Sequence, residues 1–275
     1  MPEAPELEVA REFFTPRLVG TKIVSATERK PLVLRNMTGA PFGEDIAGRE
    51  IDSIGRRGKL LLFGLSGDRV MVVSPMLTGT IRYCEPADRM EASAILLFDL
   101  QDGHQLRYLD QKRMGQVYYL PAARLAEITR LENQGPDVLD DPLELEEFRQ
   151  ALKKFRGEIK GILTRGQLVS GIGNAYADEA LFEAKLFPFR KVGTLSAAEI
   201  ERLHAATYKV VRDAVGMVRE LAGDNVHKKR RSFLKVHGKG GEPCPTCGYP
   251  VSAITANQRE TNFCRKCQPG SMFKN

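Results

Sequence analysis

Short apolar and β-branched stretches follow one another between Ile23 and about Tyr119, and they are separated by turn signals at Ser66-Gly67-Asp68 and Gln101-Asp102-Gly103. The stretches are KLLLFGL, RVMVVSPML, TGTIRY, AILLFDL and QLRYLD. Apolar runs at a spacing of about ten residues indicate strands, and a series of them favours an antiparallel sandwich or barrel.

Helical periodicity precedes and follows these strands. Pro5 to Leu18 predicts one amphipathic helix, and the period is helical again from Leu143 to Leu221. The second region reads LELEEFRQALKKF, GEIKGILTRGQL, NAYADEALFEAKL and SAAEIERLHAATYKVVRDAVGMVREL. Ser196 followed by Glu199 forms a capping box, which marks the start of the last helix.

We therefore expect an α+β multidomain chain. Residues 1–130 form a helix and an antiparallel β-sandwich, residues 131–232 form a helical domain, and residues 233–275 form a cysteine module. The change from strands to helices falls near Asn133-Gln134-Gly135-Pro136, which is turn-forming sequence.

The charge is distributed unevenly along the chain. Residues 1–150 hold 19 Lys and Arg against 24 Asp and Glu, whereas residues 151–275 hold 22 against 11. This asymmetry points to a polyanion such as nucleic acid as the partner of the second half, although a solvated basic face would give the same count.

Composition narrows the class of protein. Hydrophobic residues make up 42% and charged residues 28% of the 275, which is typical of a globular chain. No run approaches the roughly 18 apolar residues of a membrane-spanning helix. The start, MPEAPELEVA, carries acids where a signal peptide is basic and then apolar. We expect a cytoplasmic protein with no membrane partner.

Four of the five cysteines lie close together near the end of the sequence. Cys244, Cys247, Cys264 and Cys267 have the spacing C-x2-C-x16-C-x2-C, which predicts one structural zinc held by four thiolates. Disulfides or redox dithiols are the alternative, which a reducing compartment disfavours. Cys84 stands apart and is expected to be a small buried residue.

A short glycine motif lies between two of the helical segments. Gly171-Ile172-Gly173 predicts a tight turn with a helix beginning at Asn174, and amides at a helix start can bind phosphate. Lys160, one helix earlier, could approach the same phosphate. A plain helix–helix turn and a solvated lysine are the simpler interpretations.

Four segments together resemble one family. MPEAPELE at the start, GRRGKLLLF at 55–63, LVSGIGNAYADEALF at 168–182 and the cysteine module resemble the formamidopyrimidine-DNA glycosylase and endonuclease VIII family, in the same order and over essentially the whole chain. The resemblance implies a helix–two-turn–helix motif in the helical domain and a C-terminal zinc finger. It also implies an enzyme that removes damaged bases from double-stranded DNA and then cuts the backbone, working as a monomer that is nucleoid-associated when bound.

The resemblance assigns the catalytic groups. Removal of Met1 would leave Pro2 with a secondary amine as the nucleophile that forms an imine with the sugar, and Glu3 matches the general acid. Glu6 matches a further carboxylate, and Lys59 matches a lysine that contacts the phosphates flanking the lesion. Apart from the resemblance, acids at this position would be helix-start charges.

The resemblance also assigns residues that contact DNA. Arg259 matches the finger arginine that grips phosphates around the flipped nucleotide, a role suited to a guanidinium fork, although a lone loop arginine is more often solvent-facing. The remaining residues assigned to DNA contact are Leu77, Lys112, Arg113, Met114, Lys160 and Asn174.

Some of these residues depart from the family pattern. Leu77, Lys112 and Met114 stand where the formamidopyrimidine branch typically has Met, Arg and Phe to fill the space left by the flipped base. The segment from Ala222 to Phe233 is short for a loop that encloses 8-oxoguanine. We therefore expect weak excision of 8-oxoguanine, little preference for cytosine opposite it, and acceptance of ring-opened purines, oxidised pyrimidines or bulkier adducts.

Two other classes remain open at this point. The chain could be a non-catalytic relative that binds damaged or abasic DNA, which the presence of Pro2 and Glu3 disfavours. It could also be a zinc ribbon attached to an unrelated β-domain enzyme, which the order of the motifs disfavours.

Overall fold

The N-terminal half is built from two helices and nine strands. Helix α1 (Ala4–Leu18) is followed by β1 (Ile23–Glu28), β2 (Leu34–Asn36), α2 (Phe42–Ile46), β3 (Ile51–Arg57), β4 (Leu60–Leu65), β5 (Arg69–Ser74), β6 (Gly79–Cys84), β7 (Ala94–Leu100), β8 (Gln105–Asp110) and β9 (Gln116–Pro121). The computed structural model describes residues 1–30, 32–256 and 259–270.

The strands form two sheets that share one core. One sheet has the antiparallel order β1-β7-β8-β6, and the other has the order β2-β9-β5-β4-β3. Phe63 and Met71 of the second sheet pack with Phe98 and Tyr108 of the first, and Phe14 of α1 joins this core. The predicted helix and sandwich are confirmed.

Two details of the strands differ from the sequence prediction. Strand β2 pairs in parallel with β9, with Leu34 opposite Val117, so the second sheet is mixed rather than fully antiparallel. The apolar stretch RVMVVSPML is a strand only as far as Ser74, because Pro75 begins a turn and has no amide proton for a ladder bond.

Helices dominate the rest of the chain. A 3₁₀ turn (Ala122–Glu127) leads to α3 (Thr129–Glu132), α4 (Leu145–Leu152), α5 (Ile159–Arg165), α6 (Asn174–Glu183), a second 3₁₀ turn (Val192–Thr194), α7 (Ala197–Ala222) and a hairpin of β10 (Ser252–Ala256) and β11 (Arg259–Phe263). The predicted capping box is present: the Ser196 amide donates to Glu199 at 2.8 Å and the Glu199 amide donates to Ser196 at 3.3 Å.

The chain divides into two compact units. The first comprises Met1–Asn133 and Val218–Arg230, and the second comprises Gln134–Met217 and the chain from Arg231 on. The zinc-finger segment therefore shares a unit with the helices, and a separate third domain stays a prediction. Among the described residues, no helix combines the length and apolar character needed to cross a membrane.

A polar corner stabilises the first unit. The carboxylate of Asp45 in α2 accepts hydrogen bonds from Arg69 of β5 at 2.9 Å, from Arg49 at 2.9 Å and from the hydroxyl of Tyr119 at 2.6 Å. Burial alone would raise the pKa of Asp45, but these donors outweigh it and lower the pKa to about 2.

This corner predicts a stability that depends on pH. Because the folded pKa of Asp45 is below its unfolded value of about 3.9, its contribution is complete above that value and is lost as the pH falls toward 2. At pH 7, Asp45→Asn should lower the free energy of unfolding by roughly 1.5–3 kcal/mol, the range for a hydrogen bond to a charged group. In thermal melts, the difference in melting temperature between wild type and Asp45→Asn should narrow between about pH 4 and pH 2. Exposed Asp52→Asn is the control, and a gap that is constant over this range would contradict the prediction.

Candidate active site and nucleic-acid interface

The start of the chain is fixed by reciprocal hydrogen bonds at the first turn of α1. The Glu3 amide donates to the Glu6 carboxylate at 2.9 Å, and the Glu3 carboxylate accepts from the Glu6 amide, which forms a capping box. Both side chains are buried. Met1 is present, so the Pro2 nitrogen is an amide here and stands in for the secondary amine that removal of Met1 would expose.

Pro2 and Glu6 line a cavity of about 350 Å³, within the size range of ligand sites. Its walls are largely apolar and come from α1, the sandwich and the C-terminal end of α7. The segment after α7 contributes Val226, His227, Lys228 and Lys229. The short stretch that the sequence analysis singled out therefore borders the same space as the predicted nucleophile.

A buried ion pair holds α1 against β3. The guanidinium of Arg56 donates to Glu8 at 2.8 Å, and the Arg56 side chain is 0% exposed. Burial tends to raise the pKa of Glu8, but hydrogen bonds from Arg11 and Arg56 outweigh it and lower the pKa. Arg56 also donates to the Gly58 carbonyl at 3.1 Å, in the turn that carries Lys59. One side chain thus connects the predicted catalytic helix and the predicted catalytic lysine.

Two neighbouring loops carry the residues predicted to fill the space left by a flipped base. Leu77 lies in the turn between β5 and β6 and is 43% exposed. Met114 lies between β8 and β9 and is 47% exposed, and Lys112 and Arg113 beside it are also exposed. Large apolar side chains at loop tips are candidates for contact with another molecule.

In the second unit, two of the predicted DNA-contacting residues bond to one backbone carbonyl, next to a third. The Glu260 carbonyl accepts from Lys160 of α5 at 2.9 Å and from the side-chain amide of Asn174 at 2.7 Å. The neighbouring Arg259 is exposed at the start of β11. The predicted turn before Asn174 is present, with Gly171 at a φ of +100°.

The ammonium of Lys160 is used inside this unit. It lies 2.6 Å from Asp178 of α6 and donates to the Thr261 hydroxyl at 2.8 Å, and the residue is only 7% exposed. Asp178 also contacts His237 at 2.8 Å and accepts from the Asn262 amide at 3.1 Å. These contacts attach the hairpin bearing Arg259 to α6, while a direct contact of Lys160 with phosphate stays a prediction.

The four clustered cysteines fit one zinc ion. Their sulfur atoms all lie within 4.8 Å of one another, with Cys244 and Cys267 3.8 Å apart and Cys247 and Cys264 3.5 Å apart. A tetrahedral zinc with bonds of about 2.3 Å requires sulfur–sulfur distances of about 3.8 Å. The chain carries one structural zinc, as predicted. All five cysteines are free of disulfide bonds, and Cys84 is buried as expected.

The sequence analysis did not identify several of the residues that build these sites. Arg56 and Ile54 are two residues apart in β3, so their side chains point to the same, buried face of the sheet. A charged residue at a buried strand position was the signal that could have identified Arg56. Asp178 and the adjacent Glu179 lie in α6, where burial on most sides implies an internal partner. Glu179 accepts from the amides of residues 235–237. Lys228 and Lys229 belong to the Ala222–Phe233 segment, which the sequence analysis considered only for its length.

Comparison with protein families matches nearly the whole chain in three segments. The formamidopyrimidine-DNA glycosylase N-terminal domain matches residues 1–117, and the formamidopyrimidine-DNA glycosylase H2TH domain matches residues 134–224. A zinc finger found in FPG and IleRS matches residues 241–270.

Relatives and solved structures agree with these matches. A formamidopyrimidine-DNA glycosylase from Symbiobacterium thermophilum is 36% identical over 274 residues, covering 98% of this chain and 90% of that protein. The Lactococcus lactis Fpg (MutM) in complex with DNA containing an oxidised pyrimidine has a TM-score of 0.88 and 29% identity, covering 98% of this chain and all of that one. A complex of the same enzyme with DNA containing an abasic site matches with the same score, identity and coverage.

The ion pair between Glu8 and Arg56 predicts that replacing Arg56 costs much more stability than replacing Arg11. Arg56→Met leaves Glu8 buried without its inner partner and should lower the free energy of unfolding by roughly 3–5 kcal/mol in urea denaturation. Arg11→Met removes the outer, more exposed partner of the same carboxylate and should cost about 0–1 kcal/mol. The double variant Glu8→Leu/Arg56→Met should recover much of the loss. Equal losses for the two single arginine variants would show that Arg56 has no special role.

Proposed function

Because the chain belongs to the formamidopyrimidine-DNA glycosylase family, we propose that the cavity at the start of α1 is where a damaged base is separated from its sugar. The protein is a DNA glycosylase with abasic-site lyase activity. The observation that carries the assignment of the site is the position of Pro2 and Glu6 at one cavity, at the N-terminus of a helix held by buried hydrogen bonds.

Pro2 is proposed as the nucleophile, after removal of Met1. An α-amine has a pKa near ~8, so a useful fraction is neutral at physiological pH. The amine attacks the sugar C1′ as the bond to the base breaks, and the base leaves with a proton. The C1′–O4′ bond of the sugar ring then breaks, and because the amine is secondary the open product is a cationic iminium, which acidifies the C2′ hydrogen. Loss of that proton expels the 3′ phosphate, and a second elimination expels the 5′ phosphate.

Glu3 is proposed to protonate the ring oxygen of the sugar as the ring opens. The residue follows the nucleophile directly, and its carboxyl group is positioned by the Glu6 amide. Glu6 in turn holds the Glu3 backbone. The capping box thus supports both the position and the orientation of the proposed acid.

The second unit is proposed to grip the DNA backbone. Residues 151–275 carry the excess of basic residues, and Arg259 presents its guanidinium on a hairpin anchored by Lys160, Asn174 and the zinc. A guanidinium fork suits bidentate contact with phosphate. We further propose that the protein acts as a cytoplasmic monomer that associates with the nucleoid when bound to DNA; its relatives are bacterial.

Lys59 and the two exposed loops complete the proposed interface. Lys59 would contact phosphates next to the lesion, and Leu77, Lys112 and Met114 would enter the duplex beside the flipped nucleotide, with Arg113 between them also contacting DNA. Lys112 has a single ammonium and cannot form the two parallel hydrogen bonds of an arginine with an unpaired cytosine. We therefore propose a lesion range broader than 8-oxoguanine, and the complex of the Lactococcus lactis enzyme with an oxidised pyrimidine is consistent with such a range.

The proposed chemistry predicts a separation of binding from cutting. Pro2→Gly replaces the secondary amine, and Glu3→Gln removes the acid, so each should slow base removal by about 10²-fold or more. Borohydride trapping on lesion-bearing duplexes measures the iminium, and the affinity for a duplex with a tetrahydrofuran abasic analogue should change little. Glu12→Gln, on the outer face of the same helix, is the control. Parallel loss of binding and trapping would indicate a folding role, and absence of trapping in wild type would indicate a non-catalytic relative.

The departure at Lys112 predicts the choice of substrate. In single-turnover cleavage of duplexes with 8-oxoguanine:C, 8-oxoguanine:A, dihydrouracil or an abasic site, we expect weak excision of 8-oxoguanine and efficient cleavage of the abasic site. Lys112→Arg should raise the preference for 8-oxoguanine:C over 8-oxoguanine:A by roughly 1–3 kcal/mol, the range for a bidentate base contact. Fastest cleavage of 8-oxoguanine:C by wild type, among the base lesions, would overturn this expectation.

A further inference from the structure

A buried carboxylate lies directly beneath the two exposed loops. Asp110, the last residue of β8, is 1% exposed. One of its oxygens accepts from the Thr78 hydroxyl, and the other accepts from the Gly115 amide at 2.7 Å. Thr78 belongs to the turn that carries Leu77, and Gly115 directly follows Met114. One carboxylate therefore bonds to both loops at once.

Two further hydrogen bonds come from one donor. The Lys112 amide donates to the Thr78 hydroxyl oxygen at 3.0 Å and to Asp110 at 3.2 Å. The first of these bonds joins the two loops directly. The hydroxyl of Thr78 is thus both a donor to Asp110 and an acceptor from Lys112, so that the side chains of Thr78 and Asp110 together connect the loops.

Close packing of glycines around Tyr108 keeps the loops in this arrangement. A Cβ atom at Gly79 would lie 2.3 Å from the Tyr108 hydroxyl, and one at Gly115 would lie 1.8 Å from it. The loops also contain two non-glycine residues in the left-handed region, Met76 at a φ of +50° and Arg113 at +53°. Side chains rarely adopt this conformation, so the surroundings must hold it.

We infer that Asp110 is a positioning residue that joins the two loops, so that Leu77 and Met114 enter DNA as one rigid wedge. This inference rests on the proposed function, in which both side chains replace the flipped nucleotide. Asp110 does not touch the substrate, and its effect passes through the Thr78 hydroxyl and the amides of Lys112 and Gly115. A carboxylate is suited to this task because it accepts several hydrogen bonds and donates none.

The inference is tested by a double-mutant cycle in different backgrounds. The measured quantity is the ratio of affinities for a duplex with a tetrahydrofuran abasic analogue and for the same duplex undamaged. The fluorescence of 2-aminopurine placed next to the analogue reports unstacking independently. Leu77→Ala, Met114→Ala and the double variant are compared in wild type, in Asp110→Asn and in Thr78→Val.

A rigid wedge makes the two truncations non-additive. In wild type, each single truncation should remove most of the preference for the abasic analogue over undamaged DNA. The fold-loss of this preference in the double variant should be less than a third of the product of the two single fold-losses. In the Asp110→Asn and Thr78→Val backgrounds, the fold-loss of the double truncation should equal the product of the two single fold-losses to within about 1.5-fold. Thr78→Ser keeps the hydroxyl and should behave as wild type. Asp99→Asn is the matched control, since Asp99 accepts from Ser25 and Gln105 in the same sheet but bonds to neither loop.

The possible failures are distinguishable. If Leu77→Ala and Met114→Ala leave the damage preference of wild type unchanged, the proposed wedge itself is wrong. If both truncations matter but remain equally non-additive in Asp110→Asn and Thr78→Val, the wedge stands and the role of Asp110 is overturned. If Asp110→Asn does not fold, Thr78→Val carries the same test, because it removes the bridging hydroxyl and keeps the buried carboxylate.

Discussion

The ion pair between Glu8 and Arg56 is the interaction on which the arrangement of the proposed catalytic residues depends. The first residues of a protein ordinarily fray, yet the proposed nucleophile is the second residue of this one. The pair ties α1 to β3, while the reciprocal bonds of Glu3 and Glu6 fix the first turn. Because Arg56 also holds the Gly58 carbonyl, the turn bearing Lys59 is set by the same guanidinium. A buried charge pair contributes little net stability, but it specifies one arrangement of these elements.

In the second unit, buried carboxylates fix the position of the zinc finger on α6. Apolar contacts hold part of the finger, since Phe182 packs against its cysteines and Phe263 of β11 packs against Phe187. Asp178 and Glu179 add to these contacts by accepting hydrogen bonds from Asn262 and from the amides of residues 235–237. Lys160 neutralises Asp178 and continues to the Glu260 carbonyl. The hairpin that presents Arg259 is thereby attached through its backbone, which leaves the arginine side chain exposed.

Local sequence patterns were sufficient to predict the helices and strands and the zinc ligands, but they could not predict the contacts between these elements. The capping box at Ser196, the helix beginning at Asn174 and the cysteine spacing depend on residues that are near one another in sequence, and the structure contains all three. The parallel pairing of β2 with β9 and the bond from Lys160 to Glu260 join residues far apart in sequence. Lys160 was predicted as a phosphate contact from its place one helix before the glycine motif, and that contact stays a prediction; no local signal in the sequence reveals its contact with Asp178. For the same reason the assignments of Pro2, Glu3 and Arg259 depended on the family resemblance.

The discontinuity of the first unit has a consequence for synthesis of the protein. The wall of the cavity at Pro2 includes Val218 and Val226–Lys229, which follow all of the residues from Gln134 to Met217. At about 5–20 residues per second, a ribosome needs roughly 5–20 s after Asn133 to complete this wall. The sandwich emerges first with its apolar cavity open, and no nascent chain shorter than about 230 residues can possess the finished pocket. The proposed active-site cavity is therefore incomplete in the growing chain until the helical segment has been made.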